Sequence, residues 1–290
     1  MSVRVVAPAK INLTLRVGKP RADGMHPLQS VVTFADVGDV VEAEANDALS
    51  LTIRGPFAAA LQADADNLVL RAARALATAA GAPAAGARLV LEKNLPVASG
   101  IGGGSSDAAA TLRALSALWG LKWSDARLAE IAQGLGSDVP VFFTAGAAAY
   151  MTGLGETCAP MTAPSFAGVL VNPMQAVATP SVYRQFDALN LGSVLSDAPP
   201  PCWADRADAL HHISVIGNDL EPAAVAVAPV IAEVLAVLRA DELALYAGLS
   251  GSGATCFALS ENPDAARALG AKLSALQPTW WVCATQLGRA

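Results

Sequence analysis

Between Pro96 and Ala109 the chain reads PVASGIGGGSSDAA, four glycines and three serines leading into an alanine-rich stretch that starts like a helix. Glycines let a backbone approach a ligand closely, and the N–H groups and dipole at a helix start favour negative charge, so such a loop suits phosphate binding. The two commonest phosphate-loop patterns are excluded. Gly104 is followed by Ser105, so G-x-x-x-x-G-K-[ST] is absent, and Gly100-x-Gly102 leads to Ser105 where G-x-G-x-x-G needs a glycine. Taken alone, the loop is either an anion cradle or a glycine-rich turn. Two charged residues invite the same double reading. Lys10 sits among apolar neighbours in a strand-like segment, as a charge turned into a cleft or as an edge-strand lysine. Asp138, in GSDVP, follows a helix and a glycine turn, where a carboxylate also serves as a cap or turn residue.

The elements that must position these residues follow from periodicity. VRVVAPA, INLTLRV, LQSVVTFADV, DVVEAEA and LSLTIRG read as strands separated by turn residues such as Pro20, Asp23, Gly24 and Gly38. A helix begins at Asp66 or Asn67, and ARLVLEKNLP returns as a strand ended by Pro96, so the glycine loop joins a strand to the helix DAAATLRALSALWG. SDARLAEIAQGLG forms a further helix capped by Ser124. Beyond it come a strand (FAGVLVNP), a long helix from about Glu221 to Arg239, a glycine-rich strand turn (LYAGLSGSGATCFAL), a helix near 263–276 and a last strand (TWWVCATQL). The uncharged, proline-broken stretch 157–183 marks the expected boundary between an N-terminal domain, residues 1–155, and a C-terminal domain, residues 156–290.

The totals narrow the function classes. With 290 residues, 53% of them hydrophobic, the chain supports one large or two ordinary domains. A net charge of −6 with interleaved signs leaves no footprint for nucleic acid or an anionic membrane, so a phosphate site must draw its field from local groups. The four cysteines are widely spaced and lack metal-ligand patterns, which reads as reduced and mostly buried thiols. MSVRVVAPAKINL has no secretory h-region, and the prolines of 157–183 exclude a membrane helix there, which points to the cytoplasm.

PAKINL (8–13), the glycine loop and LSGSGAT (249–255), in that order, resemble the three motifs of the GHMP kinase superfamily, whose members phosphorylate small metabolites with ATP. The resemblance implies an α+β, two-domain fold. Its N-terminal part is a ribosomal-protein-S5-like α/β domain for ATP binding and catalysis, its C-terminal part is ferredoxin-like, and the active site lies in the cleft between them. Within the superfamily, RADGMHPLQSVV, DNLVLRAA, GSDVPVFF, GLGE and GNDLE look like the branch that phosphorylates the 2-hydroxyl of 4-diphosphocytidyl-2-C-methyl-D-erythritol in the non-mevalonate route to isoprenoids. A homoserine or mevalonate kinase is the alternative. From a different class, a dinucleotide-binding oxidoreductase is weighed against by the failed G-x-G-x-x-G and the early strands.

By this resemblance Asp138 is the base that takes the hydroxyl proton, and Lys10 keeps it ionised and stabilises charge on the transferred group. Pro96, Val97, Ala98, Ser99, Gly100, Ile101, Gly102, Gly103, Gly104, Ser105 and Ser106 wrap the ATP phosphates, with Ser106 also a contact for Mg²⁺. Asn67 and Lys93 line the adenine pocket, where the bland alternatives are a helix cap and a strand-end surface charge. On the substrate side, His26 recognises the cytosine ring, Asn12 lines the cleft, and Tyr183 stacks on the ring opposite Met25, which replaces the aromatic usual at its position. Gly251, Ser252 and Gly253 bring a turn to the cleft edge. The implied cofactors are ATP and Mg²⁺, and the partner is a small molecule with a cytidyl diphosphate group. Neither nucleic acid nor membrane is expected, and the chain is expected to be a monomer or weak homodimer.

Overall fold

The computed structural model describes residues 2–82, 85–197 and 199–288. In chain order its elements are β1 (Ser2–Asn12), β2 (Arg16–Val17), β3 (Leu28–Ala45), β4 (Ser50–Arg54), α1 (Leu68–Ala79), β5 (Ala87–Glu92), α2 (Gly103–Leu118), α3 (Asp125–Ala132), β6 (Ala148–Thr152), β7 (Thr157–Met161), β8 (Phe166–Asn172), α4 (Thr179–Ala188), α5 (Arg206–Ile216), α6 (Glu221–Val227), α7 (Val230–Arg239), β9 (Tyr246–Leu249), β10 (Cys256–Ser260), α8 (Pro263–Leu276) and β11 (Trp281–Leu287). They form two compact units. One holds residues through Ala9, Gly38–Val97 and Gly102–Thr144, and the other Lys10–Val37, Ala98–Ile101 and everything from Ala145 onward.

In the first unit, β5 pairs antiparallel with Val40–Ala45 of β3 and parallel with β4. Alternation in β5 buries Ala87, Leu89 and Leu91. α1 buries Val69, Leu70, Ala73, Leu76 and Ala77 at helical spacing and packs on α2, whose Ala108, Leu112 and Leu115 are also buried. Asn67 caps α1 by accepting the Val69 N–H, and Ser124 caps α3 by accepting that of Arg127, as the sequence suggests.

In the second unit β8 is buried along its whole length between antiparallel β11 and β10, with β9 outside β10. The β6–β7 hairpin pairs with Ser30–Thr33 of β3. Helix α8 packs on β11 and β8, while Val169, Val171, Phe186, Leu220, Ile231 and Leu235 form the core.

Several expected elements change. The long helix over 221–239 is two helices, because Ala228 (φ −139°, ψ 87°) is driven out of the helical region by Pro229, which also lacks an N–H. LQSVVTFADV and DVVEAEA are one 18-residue strand. Gly38 makes no turn there. A Cβ on it would lie 2.3 Å from the Ala7 carbonyl oxygen, so it serves the close approach of β1. INLTLRV is not continuous either: the N–H groups of Leu13 and Thr14 both reach the Val31 carbonyl, which breaks the ladder before β2. All four cysteines are free, but only Cys256 is buried, with Cys202 exposed. Among the described residues no helix is long and apolar enough to cross a membrane.

Candidate active site

Three stretches distant in sequence are tied together within the second unit. The Lys10 N–H donates to the Ile101 carbonyl at 2.9 Å, and the Thr255 N–H to that of Ser99 at 3.0 Å. Ser250 Oγ donates to the Gly100 carbonyl at 3.0 Å and accepts the Asn12 N–H at 3.2 Å. Asn12 Nδ2 in turn donates to Ser30 Oγ at 2.8 Å. The fit depends on glycine at Gly100 (φ +76°), where a Cβ would fall 2.4 Å from the Ser250 carbonyl oxygen, and at Gly251 (φ +56°), where it would fall 2.9 Å from that of Gly100. Lys10 and Asn12 are both buried, and Ser252, on the same turn, shares a 2.9 Å hydrogen bond with Thr179. So PAKIN, the middle of the glycine loop and LSGSGAT, matched separately as motifs, are one hydrogen-bonded assembly.

The rest of the glycine loop belongs to the first unit. Pro96 and Val97 lead into it, and Gly102, in the left-handed region at φ 66°, opens α2 without a side chain to cap it. First-turn N–H groups of a helix have no partners within the helix, so Gly103, Gly104 and Ser105 offer donors to an anion. Ser106 Oγ is buried with no protein hydrogen-bond partner.

Beneath this turn lies a buried charge cluster. Lys93 Nζ donates to Asp39 Oδ2 at 2.5 Å and to Asp107 Oδ2 at 2.7 Å. Asp39 Oδ1 also accepts the N–H groups of Asn94 and Leu95 at 2.6 and 2.8 Å. Burial pushes the Asp107 carboxyl up to about 7 against the pull of Lys93. The same burial opposes charge on Lys93, but Asp107 and Asp39 outweigh it and raise its pKa. Lys93 is therefore no strand-end surface charge: its side chain is 2% exposed and held by two carboxylates. Asn67 does act as a cap, and its Nδ2 donates to the Gln62 carbonyl. Asp138 is half-buried in the turn between α3 and the 3-10 turn Pro140–Phe143.

On the substrate side the second unit brings His26 and Tyr183 together, ring centroids 5.0 Å apart and tilted by 45°. Phe186 meets His26 edge-on, and His26 Nε2 lies 2.8 Å from Asp187 Oδ1. Met25 stands half exposed at the tip of the Arg21–Met25 turn. Sequence reasoning missed Asp39, Asp187 and Ser250. Signals existed for Ser250, which lies inside the LSGSGAT motif, and for Asp187, which follows Tyr183 by one helical turn and so shares its face.

A glycine-rich loop at a helix start, a buried lysine and a carboxylate in a GSDVP turn suit transfer of a phosphoryl group to a small hydroxyl compound. Family models agree: GHMP kinases N terminal domain matches residues 67–146 and GHMP kinases C terminal matches residues 202–278. The fold is the expected α+β fold of the GHMP kinases. Proteins named 4-diphosphocytidyl-2-C-methyl-D-erythritol kinase from Parvibaculum lavamentivorans and Ruegeria pomeroyi are each 48% identical to this chain, covering 97% of it and 96% and 98% of their own lengths. The crystal structure of a 4-(cytidine 5'-diphospho)-2C-methyl-D-erythritol kinase superposes with a TM-score of 0.78 at 33% identity, covering 99% of this chain and 100% of its own. The chain belongs to the 4-diphosphocytidyl-2-C-methyl-D-erythritol kinase family.

Proposed function

We propose that this kinase transfers the γ-phosphoryl group of ATP to the 2-hydroxyl of 4-diphosphocytidyl-2-C-methyl-D-erythritol, a step in making isoprenoid precursors. The observation that carries the reading is the assembly in which Ser99–Ile101 bond to Lys10 on one side and to Ser250 and Thr255 on the other. It joins a phosphate-binding loop to the lysine and asparagine that the family motif assigns to the reacting end of the substrate.

In the reaction the substrate O–H bond breaks, its oxygen forms the new bond to the γ-phosphorus, and the bond from that phosphorus to the β,γ-bridging oxygen breaks to release ADP. Asp138 accepts the proton. Lys10 stabilises charge on the attacking oxygen and the transferred group. Residues 96–106 wrap the phosphates, with the first-turn N–H groups of Gly103, Gly104 and Ser105 as donors, and the motif resemblance assigns Asn67, the cap of α1, and Lys93, acting from within its ion cluster, to the adenine side. Mg²⁺, when bound, neutralises charge on the β- and γ-phosphate oxygens. The partnerless, buried Ser106 Oγ fits a contact to that ion. Mg²⁺ would take most of its ligands from the substrate phosphates and water.

His26, held by Asp187, recognises the cytosine, and Tyr183 stacks beside it. Met25 contributes a softer contact, and Asn12 with Gly251–Gly253 borders the hydroxyl-bearing end. We place the enzyme in the cytoplasm, as a monomer or weak homodimer. The test is ADP release from Mg-ATP offered with candidate alcohols. Release that depends on the cytidyl diphosphate substrate supports the assignment, and release with homoserine or mevalonate instead overturns it.

A further inference from the structure

The segment GNDLE has no role in the reaction described above, yet its Asn218 is built into the assembly that carries the acting groups and bonds the Gly251 carbonyl at the cleft-edge turn. Asn218 Nδ2 donates to the carbonyls of Leu249 and Gly251, both at 2.8 Å, and its Oδ1 accepts the Leu220 N–H at 2.9 Å. The two carbonyls flank Ser250, whose backbone is thereby fixed from both sides. Its hydroxyl then has a single aim, donating to Gly100 while accepting from Asn12. The neighbouring residues bind the substrate strand: Leu15 N–H donates to the Gly217 carbonyl, Asp219 N–H to that of Leu15, and Val17 N–H to Asp219 Oδ2 at 2.9 Å.

We infer that Asn218 and Asp219 are positioning residues of this kinase, Asn218 acting on the ATP loop and Asn12 through Ser250, and Asp219 holding the strand that leads from Asn12 towards His26. The inference rests on the reading that the glycine loop holds ATP and that Asn12 faces the substrate. The chemistry admits few substitutes. An amide presents two N–H donors and an acceptor in one plane, whereas the carboxylate introduced by Asn218→Asp would still accept the Leu220 N–H but would turn an oxygen on both carbonyls.

The experiment compares Asn218→Ala, Asn218→Asp, Ser250→Ala and the Asn218→Ala/Ser250→Ala pair in the full chain, with kcat, both KM values and thermal midpoints. Displacing reacting groups by about an ångström costs on the order of 10²-fold in rate, so Asn218→Ala is expected to lower kcat by about tenfold to that limit. Asn218→Asp, which keeps the shape and loses the donors, is expected to fall at least as far. Ser250→Ala, which removes one hydroxyl and keeps the fold, is expected to reproduce part of the loss. The pair should lose no more than Asn218→Ala alone, since both act through one contact. Asp219→Asn, which keeps an acceptor for Val17, should restore the cytidyl-substrate KM that Asp219→Ala raises. Lowered midpoints with kcat within about twofold of the parent, assayed well below the midpoint, or losses that simply add, would overturn the inference. A parent that turns over no cytidyl substrate sinks the functional reading instead. Calorimetric titration with Mg-ATP then decides, with affinity weakened about fivefold or more in Asn218→Ala expected and unchanged affinity fatal.

Discussion

Lys93 Nζ lies 2.7 Å from Asp107 Oδ2, a buried ion pair that joins the strand end leading into the glycine loop to the first turns of the helix that follows it. Asp39 completes the cluster and also fixes Asn94 and Leu95, so both ends of the loop share one charged base.

Removing that cation leaves two carboxylates buried without a counter-charge, which costs about 3–5 kcal/mol. Lys93→Met is therefore expected to lower unfolding free energy by that order, measured in urea at neutral pH. A midpoint unchanged from the parent would mean that water, rather than Lys93, satisfies the cluster.

Asp138→Asn and Lys10→Ala test the chemistry itself. Both should fold with native circular dichroism, and kcat should drop about 10²-fold or more, the range for a lost general base or for a lost charge at the transition state. Near-normal turnover by either purified variant removes that residue from the mechanism.

The pair formed by His26 and Asp187 separates recognition from catalysis. Asp187→Ala frees the imidazole to rotate away from Tyr183. The KM for the cytidyl substrate should rise about tenfold, while the KM for ATP stays near the parent value. Equal rises in both would place His26 outside cytosine recognition.

His212 supplies a pH dependence. Burial, first of all, holds its pKa below the usual value near 6.5, with His211 adding to that effect and Asp208 opposing it. Between the folded value and 6.5 the unfolded chain binds more protons, so stability rises with pH through that window and is lost on acidification. His212→Gln should lose less stability between about pH 7.5 and about pH 5.5 than the parent, a difference read by urea unfolding at both values. Trp203, whose ring centroid is 5.8 Å from that of His212, offers a local fluorescence signal. Identical pH slopes in the two proteins would rule out this coupling.

Local signals account for what was readable along the chain. The caps Asn67 and Ser124 act over two or three residues, and the strand–loop–helix placement of PVASGIGGGSSDAA follows from periodicity on either side. Motif order pointed to a GHMP kinase and its branch because those residue types recur with one reaction. Less was readable where a distant partner decides. Lys93 sits beside Glu92 and Asn94 at a strand end, and nothing nearby says that Asp39, 54 residues away, will bury it. The run from Glu221 to Arg239 keeps its helical pattern across Pro229, so hydrophobic spacing concealed the break.

The sequence by itself determined which chemistry the chain carries: a glycine-rich loop for phosphates, a lysine, a carboxylate and a histidine, in an order that defines a kinase family. Tertiary structure decided which partner each group meets. Lys93 went into an ion cluster, His26 to Asp187, and Ser250 between Gly100 and Asn12. The reason is physical: periodicity selects only the face a residue presents, whereas hydrogen bonds and buried ion pairs hold only within fractions of an ångström, between groups that folding alone brings together.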